Sequence, residues 1–204
     1  MDLQAVVLNC SLKKSPAASN TEALANVVLQ ALRDRGVSGE IVRVVDHQVD
    51  PGVLSEPQSE GDEWPAIREK IVGADIVVVA TPTWLGQISS VCKRALERMD
   101  AFLAETKEDG RPIAFDKVAG FVVTGNEDGA HHCIAQMAQA MIDLGFTVPG
   151  QAWTYWNKGP GPGEEEYLTS DEVDWSNTTG RTAAQNLLAV AQALRAAPLP
   201  APAG

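Results

Sequence analysis

The sequence predicts a doubly wound α/β fold, in which five parallel strands take the order 2-1-3-4-5 and helices cover both faces of the sheet. Several apolar runs are continuous, which is typical of strands buried on both faces. They alternate along the chain with segments whose apolar residues recur every three or four positions, which indicates helices. Five strands favour this order over the six-stranded order of dinucleotide-binding folds.

Five segments are predicted strands, and the clearest is DIVVVA at 75–80. Pro149 indicates that the last strand lies at an edge or contains a bulge. The five segments are 5–8, 41–45, 75–80, 118–123 and 147–155.

Five further segments have helical spacing, and Gly36 and Gly145 are predicted to stop the first and the fourth. No repeat or change of composition marks a boundary, so we expect one domain over residues 1–197. The Pro- and Ala-rich tail at 198–204 cannot continue a helix and is expected to be mobile or packed on a partner. The helical segments are 24–32, 64–72, 88–99, 134–142 and 184–191.

Composition excludes several classes of function. The net charge of -11 argues against nucleic-acid or anionic-membrane partners, because both would repel such a surface. No stretch approaches the roughly 20 apolar residues of a membrane span, and the first residues lack a signal-peptide pattern, so we expect a cytoplasmic protein. Cys10, Cys92 and Cys133 stand far apart and are predicted to be structural thiols.

The loop after the first strand suits a phosphate group. Ser19 and Glu22 form an S-x-x-E capping pattern, which predicts that a helix begins here with free backbone N–H groups. Ser11 and Thr21 add hydroxyl donors, and Lys13 or Lys14 adds positive charge. The alternative is an ordinary helix cap in a polar loop. Neither the G-x-G-x-x-G nor the G-x-x-x-x-G-K-S/T pattern occurs, which argues against a dinucleotide fingerprint or a triphosphate P-loop.

The loop after the third strand brings an aromatic residue to the same edge. It contains Trp84 between Pro82 and Gly86. A flat indole beside backbone N–H groups suits a planar heterocycle such as isoalloxazine. The alternative is a tryptophan that packs on the core or at a subunit interface.

The loop after the fourth strand carries Gly125, Asn126 and Gly129, followed by two histidines. Its glycines allow close backbone approach to a ring, and the amide can bond a carbonyl or ring nitrogen. His131 and His132 point about 100° apart on a helix and lack a third ligand, so we expect no metal site. His132 is a candidate wall of the substrate pocket, with a solvated histidine as the alternative.

Together these loops resemble the NADPH-dependent FMN reductase and quinone reductase branch of the flavodoxin-like superfamily, over roughly residues 4–153. The most specific piece is TPTWLG at 81–86, followed by Lys93, Arg94 and Asp100 in the next helix. The resemblance implies that FMN binds with its phosphate in the first loop and its isoalloxazine ring between the other two. The implied FMN contacts are Ser11, Lys13, Ser19, Asn20, Thr21, Pro82, Thr83, Trp84, Leu85, Gly86, Thr124, Gly125, Asn126 and Gly129.

The resemblance further implies an NAD(P)H oxidoreductase with no catalytic side chain, because the chemistry takes place on FMN. Trp84 and His132 are candidates for the walls of a site that NAD(P)H and a quinone, flavin, nitro compound or similar acceptor share in turn. The alternatives are a flavodoxin-type electron carrier without nicotinamide turnover and a flavin-binding module without turnover.

Two further features concern partners and access to the site. The aromatic run Trp153, Tyr155 and Trp156 is expected either to seal the pocket or to pack against another subunit. Together with the family resemblance, it predicts a homo-oligomer, a dimer or a tetramer. The Gly-, Pro- and Glu-rich loop at 157–167 is interpreted as a solvated acidic insertion, with a lid over the pocket as the alternative.

Overall fold

The computed structural model describes residues 3–159, 161 and 163–202. The strands are β1 Gln4–Asn9, β2 Ser38–Arg43, β3 Ile76–Trp84, β4 Gln87–Ile88, β5 Val118–Gly125 and β6 Trp153–Asn157. The helices are α1 Asn20–Arg33, α2 Trp64–Gly73, α3 Ser90–Met99, α4 Ala130–Asp143 and α5 Asp174–Ala196. No helix of this part of the chain combines the length and apolarity needed to cross a membrane.

The sheet has the order β2-β1-β3-β5-β6, and neighbouring strands on this path are parallel. The two-residue strand β4 pairs only with β3, in the antiparallel sense. Without β4, the five parallel strands follow the predicted order 2-1-3-4-5, so the predicted fold class is confirmed. The carboxyl ends of β1, β3 and β5 are neighbours, which brings the loops that follow them together.

Each face of the sheet is covered by its own layer of helices. Val6 and Leu8 of β1 pack into a cluster with α2, α3 and α4, whereas Ala5 and Val7 pack with α1 and α5. Alternate residues of a strand point to opposite faces, so a strand with helices on both sides must be apolar at every position. This requirement explains the continuous apolar runs. All three cysteines are buried and free.

The second strand and the last strand differ from their predicted bounds. The chain leaves β2 at Arg43 and makes a single helical turn over Val44–Asp46. Near the last strand, only Thr147 bridges to Val118, and β6 itself begins at Trp153. The intervening segment turns at Gln151, whose φ is 53°, and Pro149 cannot donate a ladder hydrogen bond.

β3 continues past its predicted end at Ala80 and turns back into β4. Pro82 lies opposite Thr124 of β5, so the parallel pairing extends into the predicted loop. The two turn residues, Leu85 and Gly86, have φ values of 52° and 72°, as in the type I′ turns that close tight hairpins. The residues predicted to form a loop at 81–87 therefore lie on a hairpin.

One residue of the Pro- and Ala-rich tail, Leu199, is hydrogen-bonded to the body of the chain. Its N–H donates to Asp116 Oδ1 at 2.8 Å, and Arg111 Nη1 donates to the Leu199 carbonyl at 3.1 Å. The expectation that the tail is mobile or packed on a partner stays a prediction.

Candidate functional site

The loops that follow β1, β3 and β5 enclose a cavity of about 160 Å³ at the carboxyl edge of the sheet. Roughly 300 Å³ is the lower end for pockets that take a whole drug-sized ligand, so this cavity suits one end of a flavin-sized molecule. Eleven of its fifteen lining residues were predicted from the sequence. The lining is Ser11, Leu12, Lys13, Ser19, Asn20, Thr21, Pro82, Thr83, Trp84, Thr124, Gly125, Asn126, Trp156, Glu165 and Glu166.

Ser19 caps α1 as predicted. Its Oγ accepts a hydrogen bond from the Glu22 N–H at 3.1 Å, and its hydroxyl hydrogen has no acceptor within the described residues. The N–H groups of Asn20 and Thr21 lie in the first helical turn, where no helical carbonyl can accept from them. This end of the cavity therefore presents several hydrogen-bond donors and the positive end of the helix dipole.

Glu22 does not complete the reciprocal capping pattern that S-x-x-E suggests. Its carboxylate accepts hydrogen bonds from Asn9 Nδ2 at 2.8 Å and from Arg43 Nε at 2.9 Å. Arg43 is nearly buried and also donates to the Ala17 carbonyl at 2.8 Å. It thus holds the first loop against the end of β2. Sequence reasoning missed this role, because a lone arginine at a strand end gives no local signal.

One of the two lysines of the first loop reaches the cavity. Lys13 lines it, whereas Lys14 does not. The outer part of the loop is tied down at Ser15, whose N–H and hydroxyl donate to the two oxygens of Asp46 at 2.8 and 2.6 Å. These hydrogen bonds lower the pKa of Asp46. Lys13 is therefore the cation available to an anion in the cavity.

The ends of β1 and β3 are joined by buried hydroxyls. Ser89 caps α3 and donates to the Cys10 carbonyl at 2.7 Å, and Thr81 Oγ1 accepts from the Ser89 N–H at 3.1 Å. Beyond this junction, Thr83 is buried at the cavity wall, and the Trp84 side chain is about half exposed. An indole in this position offers a flat apolar face at the mouth of the cavity.

Three predicted contacts lie outside the lining. Leu85 is 90% exposed, and its N–H donates to Glu127 Oε1 at 2.7 Å. A Cβ added to Gly129 would lie 2.7 Å from the Gly86 Cα, so these two glycines let the hairpin turn and the start of α4 touch. In the structure they serve backbone packing, and their contact with a flavin stays a prediction.

Hydrogen bonds at Thr124 and Asn126 fix the loop after β5 beside the cavity. Thr124 Oγ1 and Thr21 Oγ1 are 2.7 Å apart, and this buried hydrogen bond joins β5 to α1. Asn126 exchanges two hydrogen bonds with Gly163: the Gly163 N–H donates to the Asn126 carbonyl at 2.9 Å, and Asn126 Nδ2 donates to the Gly163 carbonyl. The predicted ligand amide is thus engaged by the acidic loop.

Four lining residues were not among the predicted flavin contacts: Leu12, Trp156, Glu165 and Glu166. Trp156 is nearly buried, and its Nε1 donates to the Glu172 carbonyl at 3.2 Å. Strand alternation could have identified it, because it faces away from Trp153 and Tyr155. The two glutamates show that the acidic loop borders the cavity, contrary to its interpretation as a purely solvated insertion.

The aromatic run divides between the cavity and the surface. The Tyr155 ring packs at 5.0 Å from His131 and at 4.9 Å from Trp175, which is about half exposed. His132 lies outside the cavity, with Nε2 3.3 Å from Gln87 Oε1, so its role as a pocket wall stays a prediction. No group of three or more His, Cys, Asp or Glu side chains within the described residues is placed to hold a metal ion. The homo-oligomer also stays a prediction.

The residues around the cavity fit FMN. Hydroxyls, Lys13 and a helix N-terminus suit a phosphate monoester, and the Trp84 indole suits the edge of a flat ring. A Cβ added to Gly125 would lie 2.9 Å from the Thr83 Cβ, so only glycine allows the second and third loops to approach this closely.

Comparisons with known proteins agree with this geometry. A family model described as NADPH-dependent FMN reductase matches residues 3–161. The 8-demethyl-8-aminoriboflavin-5′-phosphate synthase of Streptomyces davaonensis is 38% identical over 176 residues, which cover 80% of this chain and 67% of that protein. A divalent metal cation transporter, MntH, of Mycobacterium bovis is 37% identical over 203 residues. That match covers 95% of this chain but 29% of the transporter, so the chain spans less than a third of this relative.

Two solved structures of similar fold have descriptions that concern flavins. RosB with a bound 8-demethyl-8-formylriboflavin-5′-phosphate intermediate aligns with a TM-score of 0.85 and 30% identity, covering 97% of this chain and 82% of that chain. An apo NADH:FMN oxidoreductase, with a TM-score of 0.63 and 14% identity over 94% of this chain and 89% of that chain, shares the fold.

Proposed function

The chain belongs to the NADPH-dependent FMN reductase family and FMN is its flavin, and we propose that it is an FMN-dependent NAD(P)H oxidoreductase. Its acceptor is a quinone, a flavin, a nitro compound or a similar small molecule. One observation carries the proposal: hydrogen-bond donors, a lysine and a half-exposed indole converge from three loops on one cavity.

In this assignment, the hydroxyls of Ser11 and Ser19, the first N–H groups of α1 and the Lys13 ammonium would hold the phosphate end of FMN. The Trp84 indole would face the isoalloxazine ring. The hydrogen bond between Thr21 and Thr124 keeps the first and third loops at a fixed separation.

FMN, when bound, supplies hydride acceptance from a nicotinamide and the return of electrons to a second substrate. The protein supplies orientation. The half-exposed Trp84 indole would contact the edge of the ring and leave room at the mouth, where a nicotinamide and an acceptor would bind in turn.

Anaerobic stopped-flow mixing tests the proposal. FMN-loaded protein is mixed with NADPH or NADH while the visible absorbance of oxidised flavin is followed. The proposal expects rapid bleaching, followed by recovery when a quinone or a nitro compound is added. A flavodoxin-type carrier would remain oxidised with either nicotinamide and accept electrons only from a partner protein or a chemical reductant.

A second candidate function treats the flavin as the molecule that is converted. It is favoured by a similar sequence and a similar structure whose descriptions concern riboflavin-5′-phosphate derivatives. Mass spectrometry of flavin recovered after turnover separates the two candidates: an oxidoreductase returns FMN of unchanged mass, whereas a flavin-modifying enzyme returns a product of altered mass.

A further inference from the structure

Two carboxylates border the part of the cavity that is assigned to the flavin phosphate. Glu165 and Glu166 line the same cavity as Ser11, Ser19 and Lys13. Glu166 Oε2 accepts a hydrogen bond from Asn20 Nδ2 at 3.1 Å, and Asn20 is the first residue of α1. A negative charge therefore lies beside the helix N-terminus where a dianionic phosphate would bind.

The backbone contacts of the acidic loop show that this position is built into the fold. Gly163 is bonded to Asn126 through both its N–H and its carbonyl. The Leu168 N–H donates to Asn20 Oδ1 at 3.1 Å. The loop is thus attached on one side to the segment after β5 and on the other to the start of α1, and the two glutamates lie between these attachments.

The lysines near the acidic loop do not neutralise all of its carboxylates, so the loop adds negative charge beside the cavity. Lys158 Nζ lies 3.0 Å from Glu165 but also 2.8 Å from Glu172, so one ammonium serves two carboxylates. Hydrogen bonds from Ser170 and Lys158 lower the pKa of Glu165, which keeps it ionised at neutral pH. Within the described residues, Glu166 has no ion-pair partner, and Lys13 is the lysine that lines the cavity.

We propose that Glu165 and Glu166 act as a charge filter on the phosphate end of the flavin site, which weakens the binding of FMN without affecting riboflavin. Like charges repel the phosphate, whereas riboflavin ends in an uncharged hydroxyl at the same place. Because its binding is weakened, bound FMN exchanges readily with FMN in solution. The inference rests on the proposed function only in placing FMN in this cavity.

Flavin titrations of the flavin-free full-length protein test the filter. Fluorescence quenching gives dissociation constants for FMN and riboflavin with wild type, the double variant Glu165→Gln/Glu166→Gln, and Glu164→Gln. Glu164 is exposed and does not line the cavity, so it is the matched control for charge on the same loop. We expect the double variant to bind FMN about tenfold more tightly, with riboflavin unchanged and the control equal to wild type.

Three outcomes would overturn the proposal. An unchanged ratio of the two affinities would mean that the carboxylates do not act on the phosphate. Weaker binding of both flavins would mean that they accept hydrogen bonds from the ribityl chain. Equal tightening in Glu164→Gln would mean a general surface effect. Tight FMN binding without reduction by NADPH would contradict the proposed function and leave the filter intact.

Discussion

Two polar loops lie at the carboxyl edge of the sheet, and they use their polar groups in opposite ways. The anchored loop, residues 47–63, follows β2 and closes around a buried guanidinium. Arg98 donates to the carbonyls of Asp50, Leu54 and Glu56 at 2.9–3.1 Å and to Asp62 Oδ2 at 2.6 Å, and its side chain is fully buried. The proposed phosphate loop, residues 10–19, instead directs unmatched donors into a cavity.

The difference shows that length and polarity do not identify a binding loop. Both loops are irregular, and both are rich in residues that favour turns. The anchored loop satisfies its own carbonyls through Arg98, which also lies 5.5 Å from the Trp64 ring centre. A ligand site requires donors without a protein partner, such as the Ser19 hydroxyl and the first N–H groups of α1.

Removal of the buried guanidinium should have the largest effect. Arg98→Met leaves three carbonyls and the Asp62 carboxylate without their donor, and we expect a loss of about 3–5 kcal/mol in the free energy of unfolding. Urea denaturation measures it. Arg94→Met is the control, because Arg94 makes a single hydrogen bond to the Val49 carbonyl at 3.0 Å. Equal losses in the two variants would contradict the anchoring role.

The same ion pair predicts sensitivity to acid. Burial alone raises the pKa of Asp62, but hydrogen bonds from Arg98 and from the N–H groups of Gln58, Trp64 and Asp50 outweigh it, so the net shift is downward. A lowered folded-state pKa stabilises the protein above the unfolded pKa of about 3.9, and this contribution is lost as the pH falls through the folded value. Urea midpoints across acidic pH should show this slope, reduced in Asp62→Asn. A slope unchanged in that variant would refute the assignment.

Within the proposed phosphate loop, the loss of one hydrogen-bond donor should lower the affinity for FMN more than the affinity for riboflavin. Ser19→Ala removes a helix cap, at about 1 kcal/mol of stability, and a phosphate donor. We expect FMN affinity to fall about tenfold and riboflavin affinity to stay the same, measured by fluorescence titration. Ser89→Ala removes the cap of α3 and the hydrogen bond to the Cys10 carbonyl, but no donor that lines the cavity. Equal losses of FMN affinity in both variants would indicate an effect of stability alone.

The smallest expected effect is a gain of stability at the hairpin turn. Leu85 has a φ of 52° and a side chain that is 90% exposed, so it is strained without compensating packing. Leu85→Gly should raise the free energy of unfolding by up to about 1 kcal/mol, whereas Leu85→Ala, which keeps the strain, should not. Thermal unfolding of both variants checks this, and equal melting temperatures would show that the turn is relaxed.

The sheet order and the meeting of three loops were predictable from the sequence. Strands that are buried on both faces have continuous apolar runs, and these runs identify the strands and their order along the chain. The resemblance to FMN reductases was likewise confirmed by the family model over residues 3–161. The extension of β3 to Trp84 was not predictable, since it depends on the pairing of Pro82 with Thr124.

Long-range contacts account for the rest of what the sequence did not predict. Arg43 supports a loop 26 residues earlier in the chain through the Ala17 carbonyl. Glu165 and Glu166 reach the cavity because Gly163 bonds to Asn126, 37 residues away. No local pattern encodes such pairs, and a run of three glutamates is more often a solvated surface.

A crystal structure of the protein with bound FMN tests the central claim most directly. We expect the phosphate to lie within hydrogen-bonding distance of the Ser11 and Ser19 hydroxyls, with Lys13 beside it and the isoalloxazine ring against Trp84. A flavin bound outside this cavity, or a phosphate turned away from the N-terminus of α1, would contradict the claim.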